Sequence, residues 1–313
     1  MRSQLEFALA RKTRSLMFDV IVIGGGPAGL SAALMLGRCR RHVLLCDEGR
    51  PRNRRSRALH GYLTRDGIAP HSFNKRGRAE LVKYGVQFRS VGVTAVTRGA
   101  NRFQVSFAKG ADQATRFVLI ATGVTDDLPA IPGFKECYGR SVFHCPYCDG
   151  WEWRDRPLAV LGRGGDGARL ALGLKAWSAD VLLCTQGSPM KRSLKDRLAR
   201  NRIAIRTERV LGLDHHRGAL SAIRFAKGDP ARRDALFFTT AQHLHSNLAI
   251  RLGCKLTHRG TVKTGMLCGT NVPGVFVAGD ASRDAQFVVV AAAEGVKAAV
   301  AINKALQQRE LLE

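Results

Sequence analysis

The sequence predicts an α/β fold in which one strand–glycine turn–helix–strand unit occurs twice. The stretch "FDVIVIGGGPAGLSAALMLG" runs from an apolar strand through close-set glycines into an Ala/Leu-rich helical pattern, and "HVLLCDEG" adds a second strand. The stretch "RPLAVLGRGGDGARLALGLKAWSADVLLCTQG" repeats that order. At 313 residues the chain is long enough to bury a large core and to divide into two domains. Each repeat reads as a Rossmann-like dinucleotide-binding unit.

The first strand, Val20 to Ile23, is apolar at every position, as suits a parallel strand covered on both faces. Gly24, Gly26 and Gly29 then form GxGxxG at the strand-to-helix junction. Such glycines permit a tight turn, close approach to a pyrophosphate and close helix packing. The following helix N-terminus offers free N–H groups to phosphates. The second strand ends in Asp47 and Glu48, and Asp47 follows Gly24 by close to the ~20 residues expected of an acid that holds a ribose 2′-OH. In the second repeat Gly162, Gly164 and Gly167 take the three glycine places. Its closing strand ends in Thr185-Gln186-Gly187, with neither an acid for a ribose nor an immediate Arg for a 2′-phosphate; Lys191 and Arg192 follow a few residues on. Two further strands belong with the first repeat. "RFVLIATGV" ends in a small-residue turn at Thr122 and Gly123, and "GVFVAGDASRDAQFVVVAAAEGVKAA" gives a strand, Gly279-Asp280, and a helix expected to begin around Gln286. An Asp at a strand end can accept hydrogen bonds from a sugar-like chain, and a helix N-terminus stabilises negative charge nearby. These features suit a flavin.

Composition narrows the function classes. Apolar residues make up 45% and charged residues 24%, ordinary for a globular protein. The best membrane candidate, "FVVVAAAEGVKAAVAI", is too short to span a bilayer and carries Glu294 and Lys297, so it reads as a buried helix. The eight cysteines are spread through the chain without a signal peptide, which points to a reducing cytoplasm rather than a secreted disulfide framework. Only Cys145 and Cys148, in "FHCPYCDGWE", are close neighbours, a spacing that suits zinc, haem or a reversible disulfide. The formal net charge of +25 attracts acidic partners. No zinc-finger, helix-turn-helix or RNA-binding signature accompanies it, so nucleic acid is not expected. The densest basic cluster, "GRPRNRRSR", reads as a solvated Arg-rich surface or as a device for steering anions. Residues 1–16 are Arg-rich with one acid, Glu6, and are expected to be a disordered extension or to precede a true start at Met17.

From Met17 almost to its end the chain resembles the low-molecular-weight thioredoxin reductases. The resemblance rests on "GGGPAGL", "ATG", "YGRSVFHCPYCDG", "AVLGRGGDGA" and "VAGDASRDAQ…AAAEG", all in family order. It implies an FAD-binding domain in two segments, 17–136 and 244–313, with a pyridine-nucleotide-type domain inserted at 137–243 and carrying the CxxC. Gly24, Gly26, Gly29, Asp47, Glu48, Asn53, Thr122, Gly123, Gly279, Asp280 and Gln286 are the expected FAD contacts, with Asp280 on the ribityl chain. The inserted unit would use Gly162, Gly164 and Gly167, the choice between NADPH and NADH being left open. A homodimer acting on a thioredoxin-like protein or a small dithiol or disulfide is also implied.

The same resemblance favours the disulfide. Zinc needs four ligands, and beyond His144, Cys145 and Cys148 no second CxxC or HxxxH is in sight. A c-type haem needs CxxCH, whereas Asp149 follows Cys148. By similarity Cys148 faces the flavin, Cys145 attacks the substrate disulfide, and Asp149 shuttles a proton, a role compatible with capping a helix. Three departures from the family stand out. Pro146-Tyr147 replaces a small pair, Ala285 stands where Arg often precedes Gln286, and Thr185-Gln186-Gly187 replaces a His-Arg-Arg-type phosphate site. "CPYC" also resembles oxygen-using dithiol oxidases, although those tend to carry His at the place of Asp149. The expectation is therefore an FAD-dependent disulfide oxidoreductase, with a dithiol oxidase as the alternative and a non-catalytic flavin-binding redox sensor as a third reading that the intact cysteines oppose.

Overall fold

The structure, a computed structural model, describes residues 17–282 and 285–312. The expectations for residues 1–16 lie outside the described residues. The chain forms two compact units: Met1–Arg52 with His71–Thr125 and His243–Glu313, and Asn53–Pro70 with Asp126–Gln242.

The first unit is built on β1 (Phe18–Ile23), β2 (Val43–Cys46), β3 (Gln87–Arg89), β4 (Val93–Arg98), β5 (Phe103–Phe107), β6 (Gln113–Ile120) and, from the end of the chain, β17 (Val275–Val277). The order is β3-β2-β1-β6-β5-β4, with β17 also paired to β6. β1 runs parallel to β2 and β6, while β5 is antiparallel to both β6 and β4. The all-apolar strands are explained by cover on both faces. Val20, Val22 and Leu45 pack with Ala28 and Leu36 of α1 (Pro27–Arg38) and with Ala298 and Ile302 of the last helix, Val288–Leu312. Ile21, Leu44 and Val118 pack on the other side with Leu248 and Ala249. The last helix starts two residues later than expected, at Val288. It crosses α1 so closely that a Cβ on Gly295 would strike the backbone of Ala28.

The second unit holds an all-parallel sheet of β8 (Val142–Phe143), β9 (Leu158–Leu161), β10 (Val181–Cys184), β11 (Ala204–Arg206) and β15 (Ala235–Phe238), in the order β11-β10-β9-β15-β8. The helix Gly164–Leu174 places Ala168, Ala171 and Leu174 on one face with Val160 and Leu183. On the other face Leu161, Leu182 and Phe238 meet Leu213 of β12 (Val210–His216), Ile223 and Phe225 of β13 (Ala219–Phe225) and partly buried Ala231 of β14 (Ala231–Arg232). The unit's boundaries differ from those expected. Residues 53–70 and 126–136 group with it, whereas the resemblance assigned both to the FAD domain. The cause is tertiary: Arg55 Nη1 donates to Lys135 O at 2.6 Å, and Gly139 lies against the backbone of Arg55.

Candidate active site

In the first unit the glycine turn has the geometry its residue types require. Gly24 has φ +107°, a region favouring glycine, and a Cβ there would strike Ala121 O. A Cβ on Gly29 would collide with Gly24 O, so both positions must be bare for the helix to close on the strand. Gly26, the N-cap residue of α1, has open space within 4 Å of its Cβ position and no side-chain cap on the helix. That leaves room and N–H groups for a phosphate, so the turn fits the pyrophosphate of FAD. Gly25, not singled out in the sequence, donates its N–H to Asp47 Oδ1 at 3.1 Å, and a Cβ on it would press on the Asp47 side chain. Thr122 N lies 3.1 Å from the Cβ position of Gly24, which brings the "ATG" turn to the same place. Gly123, at φ +70°, accepts from His245 N.

Other predicted flavin residues are engaged by side chains that sequence reasoning missed. Arg52 Nη1 donates to Asp280 Oδ2 at 2.9 Å and to Gln286 Oε1 at 2.6 Å. One guanidinium thus gathers two predicted residues from the far end of the chain. Gly279 beside them has φ +79°, and a Cβ there would sit 3.0 Å from Ala28 Cβ. Glu48 Oε1 lies 2.7 Å from His245 Nε2, whose Nδ1 is 2.9 Å from Thr125 Oγ1. Asn53 opens the loop that groups with the second unit, where its carbonyl accepts from Ser56 N.

In the second unit β8 delivers the chain into the CxxC. Cys145 is extended and N-caps a single helical turn, Pro146–Asp149, whose first position suits Pro because the lost N–H would have no partner there. Cys145 and Cys148 are joined in a disulfide with Cα atoms 5.3 Å apart. The other six cysteines are free thiols. Burial pushes Cys46 and Cys184 up to about 12, so they stay protonated and unreactive. Asp149, one residue beyond the disulfide, is pushed up to about 7 by burial, with His60 opposing the shift and Glu152 adding to it. His60 comes from the reassigned 53–70 segment, with Nε2 3.5 Å from Glu152 Oε1 and Nδ1 3.5 Å from Asp66 Oδ2. A carboxyl poised near neutrality can give and take a proton at physiological pH. Tyr147, 78% exposed, stands edge-on to Trp177, and Trp151, 64% exposed, carries Arg154 over its ring at 4.1 Å.

The second glycine turn repeats the first. Gly162 and Gly167 are each too close to the other to bear a Cβ, and Gly164, at φ +49°, has open space. The strand end is different. Gln186 Oε1 accepts from Val210 N at 2.9 Å, and Thr185 Oγ1 is buried without a partner. Arg206, at the neighbouring strand end, is paired with Glu208 at 2.9 Å and stacked over Phe225.

These features agree with the similarity to known proteins. A family model described as pyridine nucleotide-disulphide oxidoreductase matches residues 18–295. A probable thioredoxin reductase of Arthroderma benhamiae is 33% identical over 93% of this chain and 81% of its own. The crystal structure of a putative thioredoxin reductase TrxB from Bacillus anthracis superposes with a TM-score of 0.90 at 33% identity, over 94% of this chain and 99% of that one. The crystal structure of HlmI gives a TM-score of 0.90 at 36% identity, over 95% and 94%. The reductase names do not favour the oxygen-using alternative. With its paired Rossmann-like sheets and its disulfide, the chain belongs to the pyridine nucleotide-disulphide oxidoreductase family, as a thioredoxin reductase-like, FAD-dependent enzyme.

Proposed function

We propose that Cys145 and Cys148 are the redox pair of this enzyme and that Asp149 is its proton carrier. The observation that carries the reading is the disulfide with a carboxyl raised to about 7 one residue beyond it. The bound flavin supplies two-electron chemistry, and Gly24, Gly26, Gly29, Asp47, Thr122, Gly123, Gly279, Asp280 and Gln286 would hold it, with Arg52 organising the last two. Cys148 is the sulfur that takes up the electron pair, breaking the S–S bond. Cys145, released as a thiolate, attacks one sulfur of a substrate disulfide, forming a mixed disulfide and expelling the other substrate sulfur as a thiolate that takes a proton from water. Cys148 then attacks Cys145 Sγ, restores the ring and releases the second substrate sulfur, which takes the proton held by Asp149. The substrate is a thioredoxin-like protein or a small disulfide. Exposed Tyr147 and Trp151 support an apolar contact beside the cysteines. The enzyme works in a reducing, cytoplasmic setting, a reading supported by the six cysteines that stay outside the disulfide, and as a homodimer, as the family resemblance implies. No helix among the described residues is long and apolar enough to cross a membrane.

The test separates the two sulfurs. Cys145→Ser leaves Cys148 as a lone thiolate and should give a long-wavelength charge-transfer absorbance with bound flavin, whereas Cys148→Ser should lack it. Both variants should lose disulfide turnover, since neither can close the ring. Equal spectra would reverse or void the assignment of inner and outer sulfur, and full turnover in either variant would remove the pair from the reaction.

A further inference from the structure

The sequence places Glu48 among the expected FAD contacts, yet the structure turns its carboxylate toward other parts of the chain. Oε1 lies 2.7 Å from His245 Nε2, and Oε2 lies 3.6 Å from the position a Cβ on Gly92 would take. The same imidazole has its Nδ1 2.9 Å from Thr125 Oγ1, and the His245 backbone N–H donates to Gly123 O at 3.1 Å. One residue thus holds two turns, the Asp47-Glu48 end of β2 and the Thr122-Gly123 turn after β6. Glu48, Gly92, Gly123, Thr125 and His245 all belong to the first unit. They are far apart in sequence, His245 lying 197 positions from Glu48 and 120 from Thr125.

The donor and acceptor roles close without any change of charge. A carboxylate only accepts, so Nε2 carries a hydrogen toward Glu48. A threonine hydroxyl donates or accepts, so Thr125 completes Nδ1 whether that nitrogen is bare or protonated. The side chains of His245 and Glu48 are 33% and 38% exposed, so any Coulomb energy between them is screened and small. What the contact supplies is position. The segment that carries His245 is itself fixed on both sides. Before it, β16 (Gln242–Leu244) pairs with β7 (Val124–Asp126); after it, Leu248 and Ala249 are buried with Ile21 and Leu44.

We propose that His245 is a positioning residue for FAD: it latches Glu48 to Thr125 and so sets the spacing of the two turns that hold the flavin, Glu48 serving FAD through His245 rather than by touching it. Both arms of the latch close on the same glycine turn. On one side Asp47, next to Glu48, accepts from Gly25 N. On the other, Thr122 N, next to Gly123, lies 3.1 Å from the Cβ position of Gly24. A shift of either arm would therefore reach the place where the pyrophosphate is held. The inference rests on the reading of Asp47, Thr122 and Gly123 as flavin contacts.

The experiment follows release of FAD from the purified holoenzyme after dilution, with free FAD collected by ultrafiltration and read by its visible absorbance. His245→Ala and Glu48→Ala should each speed release by about 10-fold, the worth of one or two ordinary hydrogen bonds. Thr125→Val should speed it by less. His245→Gln, whose amide can still donate to Glu48, should recover part of what His245→Ala loses. The Glu48→Ala/His245→Ala double variant should release FAD scarcely faster than either single variant, because each already opens the same latch. Effects that multiply in the double variant would mean that Glu48 meets FAD on its own, and would overturn the latch, as would wild-type release from His245→Ala. If His245→Ala does not fold, Glu48→Ala, Thr125→Val and their double variant decide by the same rule. Asp47→Ala separates the two readings. If it releases FAD like the wild type, the strand end is no flavin site and the latch falls with it. If it releases FAD quickly while the His245 and Glu48 variants do not, the latch alone falls.

Discussion

A single carboxyl, Asp149, would tie the chemistry proposed for the dithiol to the stability of its unit. Burial raises it from 3.8 to about 7, so the fold prefers the protonated acid. The sign follows: this preference adds stability below the unfolded value near 4 and is lost as pH rises through about 7. Asp149→Asn keeps the shape and removes the ionisation. The variant should match the wild type in urea unfolding at pH 4 and exceed it at pH 8 by on the order of 2–4 kcal/mol, while losing disulfide turnover. Parallel stability curves for the two proteins would show that Asp149 is not held protonated. At this scale the legible residues were those whose task is local. Gly29, which closes on Gly24, and the Cys145–Cys148 pair act on atoms a few residues away, and their spacing carries the signal. Arg52 and His60 were not legible. Arg52 meets Asp280 and Gln286 across 228 and 234 positions, and no local pattern distinguishes it from its arginine neighbours.

The two glycine turns are nearly the same element, and their difference lies in the strand that follows. In the first unit β2 is succeeded by Asp47, which accepts from Gly25 N and faces Arg78 at 3.9 Å. In the second, β10 is succeeded by Thr185 and Gln186, and Gln186 is already bonded to Val210. Arg206, at the end of the neighbouring strand, is held by Glu208 and by the carbonyls of Lys227 and Asp229. An NADP 2′-phosphate prefers the bidentate fork of Arg. Two missing charge-assisted hydrogen bonds, at about 1.5–3 kcal/mol each, would weaken binding by over ~100-fold. NADPH should therefore reduce the flavin slowly at physiological salt. NADH should do little better, because no carboxylate ends the strand. Anaerobic stopped-flow absorbance checks this, and full bleaching within a second at sub-millimolar NADPH would refute it. Both units were legible as elements because parallel strands buried on two faces are apolar throughout. The transfer of residues 53–70 to the second unit was not, since it depends on contacts such as Arg55 with Lys135 rather than on any periodicity.

Over the whole sequence 50 Lys and Arg stand against 25 Asp and Glu. Much of the excess is at the surface: Arg192, Lys195, Arg197 and Arg200 of the short helix Arg192–Arg200 and its N-cap residue Lys191 are all exposed, and Arg154 and Arg156 are exposed just beyond the dithiol. A field of one sign leaves equilibrium contacts nearly untouched but raises the encounter rate with an oppositely charged partner, by ~10-fold to ~1,000-fold at low salt. The effect fades as the Debye length shrinks from ~10 Å at 0.1 M salt to ~3 Å at 1 M. An acidic thioredoxin-like substrate should therefore show a kcat/KM that falls at least ~10-fold between low and high salt. A small neutral disulfide such as oxidised dithiothreitol carries no charge for the field to act on, and its kcat/KM should stay nearly flat over the same range. Comparing the two substrates in one salt series separates steering from any general effect of salt on the fold or the flavin. If both rates fall together, salt is acting on the enzyme itself. If neither falls, the charge does not guide the substrate to Cys145, and the exposed aromatic pair Tyr147 and Trp151 would have to account for recognition without help from the field.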